Sequence, residues 1–148
     1  MTEYISKDDF LLVLQDSFSK GIDITFTPSG NSMKPLLNGT TDTVTLTKKP
    51  EKLNKYDVVF FRRSSDNALV LHRIVKVKGE GSYLVSGDNQ YFFDEVKYDD
   101  VFAVMKAYSK NGVTYSTTTF RFKSKARLIL IKKYIRIFLS KIYHKIFK

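Results

Sequence analysis

The sequence contains no cysteine, and this absence excludes several kinds of chemistry. Among its 148 residues there is no thiol that could form a disulfide, act as a nucleophile or hold zinc. Histidine is scarce, with only 2 in the chain, and no His, Asp and Glu residues are grouped at the spacing of metal ligands. A glycine-rich phosphate loop is also missing. We therefore expect neither a metal nor another cofactor.

Long apolar runs are missing as well. Residues 2–20 are polar and acidic, and the longest unbroken apolar run in the C-terminal segment is residues 128–131. Neither segment predicts a secretory signal or a membrane-spanning helix. We expect a cytoplasmic or peripheral membrane protein, and the sequence does not indicate the side of the membrane.

Acidic residues are absent from residues 121–148, which carry ten Lys and Arg residues. The whole chain has 25 basic and 15 acidic residues, a net charge of +10, so residues 1–120 sum to zero. The excess charge therefore belongs to the tail, and the body offers no broad cationic face for phosphates. We expect no nucleic-acid partner.

Residues 1–120 predict a mainly β domain that begins with a helix. Ser6 is a plausible N-cap for a helix at residues 7–19, and Gly21 is a natural end. Alternating or short apolar runs between turn residues predict about seven strands. They lie near residues 22–27, 43–47, 57–62, 69–78, 83–86, 101–108 and 113–118. Lys110-Asn111-Gly112 predicts the turn of the last hairpin.

The second predicted unit, residues 121–148, contains a basic amphipathic helix at about residues 123–148. Apolar residues recur every three or four positions, at Leu128, Ile131, Ile135, Phe138, Ile142 and Ile146. Lysine and arginine, including Lys132 and Lys133, fill much of the remainder. Such a helix can lie on an anionic membrane surface, which is the partner we expect. The alternative is a helix docked on the body or on a partner protein.

One serine and one histidine form a candidate catalytic pair. Ser32 lies in a turn-like stretch in which Gly30 permits a tight bend and leaves main-chain N–H groups accessible, as an oxyanion site requires. Met33 could line a substrate groove. A serine needs a neighbouring base, and His72 lies in a predicted strand downstream, where we expect a pKa near the working pH. Taken alone, such residues are more often a surface serine and a hydrogen-bonded core histidine.

Two carboxylates are candidates to orient the imidazole. Asp88 lies in Gly87-Asp88-Asn89, which by itself is an ordinary turn sequence, and Asp94 follows a Phe-Phe pair. A carboxylate bonded to the far imidazole nitrogen would fix its tautomer and stabilise the imidazolium. We expect His144 to lie on the polar face of the tail helix, away from catalysis.

Together these segments resemble the serine peptidases that include type I signal peptidases and the self-cleaving SOS repressors. Ser32-Met33-Lys34-Pro35 is similar to that family's Ser-Met-x-Pro box, and His72-Arg73-Ile74-Val75 to the box that carries the base. Histidine at this place is typical of the endoplasmic-reticulum, archaeal and sporulation-type members. Gly87-Asp88-Asn89 and the later Asp94 resemble their Gly-Asp-Asn-Asn box and the acid that follows it.

The resemblance implies Ser32 as nucleophile, His72 as base, Asp94 as orienting acid and Asp88 as a second, supporting acid. It implies the family's coiled β fold over about residues 24–108. The activity it implies is a serine endopeptidase that removes a signal or leader peptide from a precursor. Where signal peptidases usually have a serine this chain has Gly30. The alternative is an inactive relative that binds peptides or acts as a membrane-attached adaptor.

Overall fold

The computed structural model describes residues 5–147 as two helices that flank a run of short strands. Helix α1 spans Lys7–Ser19 and helix α2 spans Phe120–Ile146. The strands are β1 Ile24–Phe26, β2 Thr43–Lys48, β3 Val58–Arg62, β4 Leu69–Gly79, β5 Ser82–Ser86, β6 Asp94–Lys97, β7 Val101–Lys110 and β8 Val113–Ser116. A short 3₁₀ helix, Tyr98–Asp100, precedes β7.

Within residues 5–147, the 8 strands form one sheet in the order β1-β2-β7-β3-β4-β5-β6, with β8 paired to β7. Every pairing is antiparallel. Register shifts interrupt the β2–β7, β3–β7 and β4–β5 ladders, and bulges of this kind bend and twist a sheet. The predicted mainly β class, with a helix at each end, is confirmed.

Strand β3 lies at the centre of the fold and is buried on both faces. Val58 and Phe60 point into a first core with α1, β2 and β7, while Val59 and Phe61 point into a second core with β4, β5 and β6. An unbroken apolar run is what a strand covered on both sides requires. The neighbouring strand β4 divides in the same way: Leu71 belongs to the first core and Ile74 to the second.

The predicted ends of α1 and of the last hairpin are confirmed. The Ser6 hydroxyl accepts a hydrogen bond from the Asp9 N–H at 3.1 Å, which caps the helix. Gly21, just beyond the helix, has φ +72°, a backbone conformation that suits glycine. Asn111 and Gly112 also have positive φ, as a two-residue hairpin turn demands.

Besides shifts of one or two residues at other strand ends, three elements differ from the predictions. Strand β1 is shorter than predicted, because only residues 24–26 pair with β2. Strand β6 was not predicted, since Asp94–Lys97 is a short, charged edge strand that buries only Val96. Helix α2 begins at Phe120, where Thr119 accepts a hydrogen bond from the Phe122 N–H at 3.2 Å. The predicted last residue of the tail helix, Lys148, lies outside the described residues.

Helix α2 packs on the body along one face of its first half. Phe122 belongs to the first core, and Ala126, Leu130 and Lys133 are also buried. The sequence pattern places Lys133 among the basic residues outside the apolar face, but the structure buries it, with only 3% of the residue exposed. No helix within residues 5–147 combines the length and the apolar character needed to cross a membrane.

Candidate active site

Ser32 begins a compact turn between β1 and β2. The Leu37 N–H donates to the Met33 carbonyl at 2.9 Å, so a single helical turn follows the serine over residues 33–37. Met33, Leu36 and Leu37 are buried in the first core, whereas Ser32 is half-buried. Core packing of the residues that follow therefore fixes the backbone while the serine remains accessible at the rim.

A close backbone approach holds the start of this turn. Gly30 has φ +90°, and a Cβ added to Gly39 would lie 2.1 Å from the Gly30 carbonyl oxygen. On the other side of the turn, the Lys110 ammonium donates to the Pro35 and Leu36 carbonyls, both at 3.0 Å. The same ammonium is 3.2 Å from the Asp42 carboxylate. The contact between Gly30 and Gly39 thus holds the backbone before Ser32, and Lys110 holds the backbone after it.

The loop at residues 87–89 docks directly on the serine backbone. The Asn89 N–H donates to the Ser32 carbonyl at 2.8 Å, and its side-chain amide donates to the Asn31 carbonyl at 3.2 Å. A Cβ on Gly87 would lie 2.6 Å from the Ser32 carbonyl oxygen, so only glycine permits this contact. Two segments that the sequence singled out separately are therefore in contact.

His72 is buried in β4, opposite Val59 of β3, with only 1% of the residue exposed. Burial, reinforced by the cations Arg63 and Lys133, lowers the pKa of His72 from 6.5 to about 4. The imidazole is therefore neutral near pH 7, but its pKa is below the value that we expected for a base. Its Nδ1 atom is buried without a hydrogen-bond partner.

Ser32 and His72 line the same cavity, which has a volume of about 310 Å³. Gly30, Met33 and Gln90 contribute to its walls, together with apolar side chains including Phe26, Leu37, Phe60, Leu69 and Leu71. Ser32 and His72 are not joined by a hydrogen bond in this structure. The candidate nucleophile and the candidate base therefore line one cavity, but they do not have the geometry of proton transfer.

Asp94 lies on the same face of the sheet as His72. Ile74 pairs with Val85, and Val85 pairs with Asp94, so these side chains project to one side; His72, two positions before Ile74, projects there too. The Asp94 Oδ2 atom is buried and has no hydrogen-bond partner. An unpaired acceptor on Asp94 and an unpaired ring nitrogen on His72 thus share one face.

Asp88 has a different environment. Its carboxylate accepts two hydrogen bonds from the Arg73 guanidinium, both at 2.8 Å, and both side chains are almost fully buried. Arg73 also donates to the Tyr56 carbonyl at 3.0 Å. Since Arg73 and His72 are consecutive in a strand, they project to opposite faces. The structure therefore places the Asp88 carboxylate with Arg73, and it anchors the loop that contacts Ser32.

Sequence reasoning missed two residues of this region. The Lys133 ammonium donates to the Ser86 hydroxyl at 2.6 Å and to the Gly87 carbonyl at 2.5 Å. Burial lowers its pKa to about 8, although the Asp88 carboxylate opposes this shift. The signal for Lys133 was its spacing in line with Ala126 and Leu130. Gln90, whose buried Oε1 lacks a partner, had no signal in the sequence.

Among residues 5–147, no three His, Asp or Glu side chains are grouped closely enough to hold a metal ion. The cavity offers an alcohol, Ser32, and an imidazole, His72, and the side chains of Arg63 and Gln90 line it together with apolar residues. In sequence comparisons the chain matches no protein-family model and no curated protein.

Proposed function

We propose that this protein is a serine endopeptidase of the type found in signal peptidases, with Ser32 as nucleophile and His72 as base. The observation that carries the proposal is the shared cavity lined by both residues. The hydrogen bond from the Asn89 N–H to the Ser32 carbonyl also supports the proposal, because it brings the Gly87-Asp88-Asn89 segment into contact with the Ser32 turn. The antiparallel sheet with its bulged ladders is compatible with the family's coiled β fold.

The proposed reaction is acyl transfer to Ser32. On substrate binding, the Ser32 hydroxyl moves into hydrogen-bond distance of His72, which takes its proton as the oxygen attacks the scissile carbonyl. His72 then gives the proton to the leaving amine. Water, activated by the same imidazole, hydrolyses the acyl-enzyme. Because Gly30 has no side chain, main-chain N–H groups of the turn stabilise the oxyanion.

Asp94 is the proposed orienting acid. A hydrogen bond from the imidazole Nδ1–H to Asp94 would satisfy two atoms that are now buried without partners. It would also raise the pKa of His72 from its present value of about 4 towards that of an effective base. Asp88, held by Arg73, is proposed to support the loop that positions Ser32.

The cavity walls indicate how a peptide would bind. Apolar side chains from β1, β3 and β4 suit the side chain of an extended substrate. Gln90 lines the cavity, and a rotation that exposes its buried Oε1 would let it accept a hydrogen bond from a peptide N–H. We propose a signal or leader peptide as substrate, with small residues just before the cleaved bond.

A second candidate function is peptide binding without cleavage. Two observations motivate this alternative: Ser32 and His72 share no hydrogen bond, and burial lowers the pKa of His72. In such a protein the cavity would hold a peptide in the same place, and no acyl-enzyme would form. The two candidate functions therefore differ in the product formed and share the binding site.

Mass spectrometry of a peptide library incubated with the full chain tests the catalytic proposal. We expect the wild-type protein to generate new peptide termini, and Ser32→Ala to lower the rate by on the order of 10³-fold or more. The matched control is Ser29→Ala, which alters another serine lining the same cavity and should retain most activity. Equal cleavage by Ser32→Ala would overturn the proposal. Peptides retained by the wild-type protein but left uncut would support the binding function instead.

A further inference from the structure

We propose that the outward face of α2 is a docking surface for an anionic lipid membrane. This surface, called the outer stripe, consists of Leu128, Ile131, Ile135, Phe138, Leu139, Ile142 and Ile146. All seven side chains are exposed, and three of them, Leu128, Phe138 and Ile146, are 58%, 63% and 65% exposed. A contiguous apolar surface of this kind on a folded protein marks an interaction site.

The outer stripe is on the side of α2 that faces away from the body. With 3.6 residues per turn, Phe122, Ala126, Leu130 and Lys133 share one side of the helix, and the outer stripe lies roughly half a turn away from them. The buried side already packs on the body. The body therefore cannot cover the outer stripe while the helix remains docked, and the occupant must come from outside the described chain.

The charges beside the outer stripe identify its occupant. Lys125, Lys132 and Arg136 follow one flank of the stripe, while Arg127, Lys141 and Lys145 follow the other. No acidic residue lies between residues 121 and 148. An apolar strip between two cationic flanks matches acyl chains below a layer of anionic headgroups. A second copy of the helix would place cations against cations.

The end of α2 also fits an interface. After Ile137, which is half-buried, every described residue of the helix is exposed, and the helix continues to Ile146. Phe138, Tyr143 and Phe147 project from this segment, and aromatic side chains favour the headgroup level of membranes. No described residue of this segment is buried, and the segment carries the residue types that a bilayer surface stabilises.

The outer stripe begins close to the Ser32 turn. Lys34, Pro35 and Asn89 line a shallow cavity together with Leu128 and Lys132 of α2. Binding through the stripe would therefore bring the site near the headgroups, where a membrane-bound precursor could reach it. Lipid binding itself does not depend on peptidase activity, so the two proposals can fail separately.

Flotation of the full chain with vesicles tests the surface. We expect co-flotation with phosphatidylcholine vesicles that contain phosphatidylglycerol. Binding to vesicles of phosphatidylcholine alone, or at high salt, should be weaker by roughly tenfold or more. Replacing Ile131, Ile135 and Phe138 by Gln should abolish flotation with the anionic vesicles. The matched control replaces three exposed apolar residues elsewhere, Leu12, Ile22 and Val77, by Gln, and should float like the wild type.

A second measurement keeps the test independent of variant stability. The chain has no tryptophan, so Phe138→Trp creates a single reporter on the outer stripe, and Val77→Trp a control on β4. Anionic vesicles should shift the Phe138→Trp emission to shorter wavelength and leave the Val77→Trp emission unchanged.

Three results would overturn the proposal. Wild-type protein that stays with the soluble fraction, or a stripe variant that floats as well as the wild type, would exclude a lipid surface at the stripe. Light scattering that shows a lipid-independent dimer, converted to monomer by the stripe variant, would assign the surface to a second copy of the chain.

Discussion

At the scale of single residues, the two carboxylates of the site differ in what surrounds them. Asp88 compensates a buried guanidinium through two hydrogen bonds of 2.8 Å, whereas Asp94 has a buried oxygen without any partner. A buried charge pair that loses one member leaves the other uncompensated, which is costly. Within the described part of the chain, the Asp94 carboxylate compensates no buried cation, so its removal breaks no ion pair.

This contrast gives a paired prediction. Asp88→Asn should lower the free energy of unfolding by about 3–5 kcal/mol, because Arg73 stays buried without a counter-charge. Asp94→Asn should change stability by less than about 1 kcal/mol and lower the cleavage rate by on the order of 10³–10⁴-fold. Urea unfolding and peptide cleavage measure the two effects. Equal losses of stability in both variants would contradict the assigned environments.

Sequence reasoning at this scale found residue types and their order. It named Ser32, His72, Asp88 and Asp94, and the structure brings Ser32 and His72 to one cavity. It could not assign the carboxylates to their partners, because the pairing of Asp88 with Arg73 depends on which face of β4 each side chain occupies. The sequence did not indicate Gln90, because an isolated glutamine in a turn belongs to no motif and no periodic pattern.

At the scale of elements, Lys133 ties α2 to the last residue of β5, Ser86, and to Gly87 in the loop that follows. Its neighbour Lys132 is exposed, so two consecutive lysines on one helix have opposite environments. The Lys133 side chain is held beside the Asp88 carboxylate, whose charge favours the ammonium form. A negative charge at this position would repel Asp88 and face the Gly87 carbonyl oxygen.

We therefore predict that Lys133→Glu lowers the free energy of unfolding by about 3 kcal/mol or more, because it buries an unpaired carboxylate. Lys132→Glu, the matched control, should change it by less than about 0.5 kcal/mol, as for other exposed substitutions. Urea unfolding followed by circular dichroism gives both values, and limited trypsin digestion reports whether α2 has detached. Similar unfolding midpoints for the two variants would show that Lys133 is not a buried anchor.

At the scale of the whole molecule, His72 couples folding to pH. Its pKa is about 4 in the folded protein and 6.5 in the unfolded reference state, so the unfolded chain binds its proton first as the pH falls. Folding stability should therefore be full above pH 6.5 and decrease as the pH falls towards 4. Ordinary carboxylates titrate below about pH 5. Burial raises the pKa of Asp57, whose contribution has the opposite sign, so a variant of His72 is needed to isolate the effect of the histidine.

Between about pH 6.5 and 5, we predict a loss of about 2 kcal/mol in the free energy of unfolding. His72→Gln should remove most of this dependence, while His144→Gln, which alters the exposed histidine of α2, should leave it in place. Urea unfolding at several pH values provides the measurement. An unchanged slope in His72→Gln would show that the buried imidazole is not its source.

The sequence by itself determined the mainly β class, the capped helix α1, the turn at residues 110–112 and the basic helix at the C-terminal end. These features depend on local signals: alternation, capping residues, turn chemistry and helical spacing. The order of the Ser32, His72 and Asp94 segments was also readable from the sequence alone.

Only the tertiary structure decided which of these signals meet. The short strand β6 owes its place to pairing with β5, and its charged sequence gives no periodic signal. The apolar spacing of α2 predicted one apolar face, and the structure shows that a different set of residues, ending at Lys133, packs on the body. Strand pairing and helix docking select among faces that local sequence leaves equivalent, because burial is a property of the assembled fold.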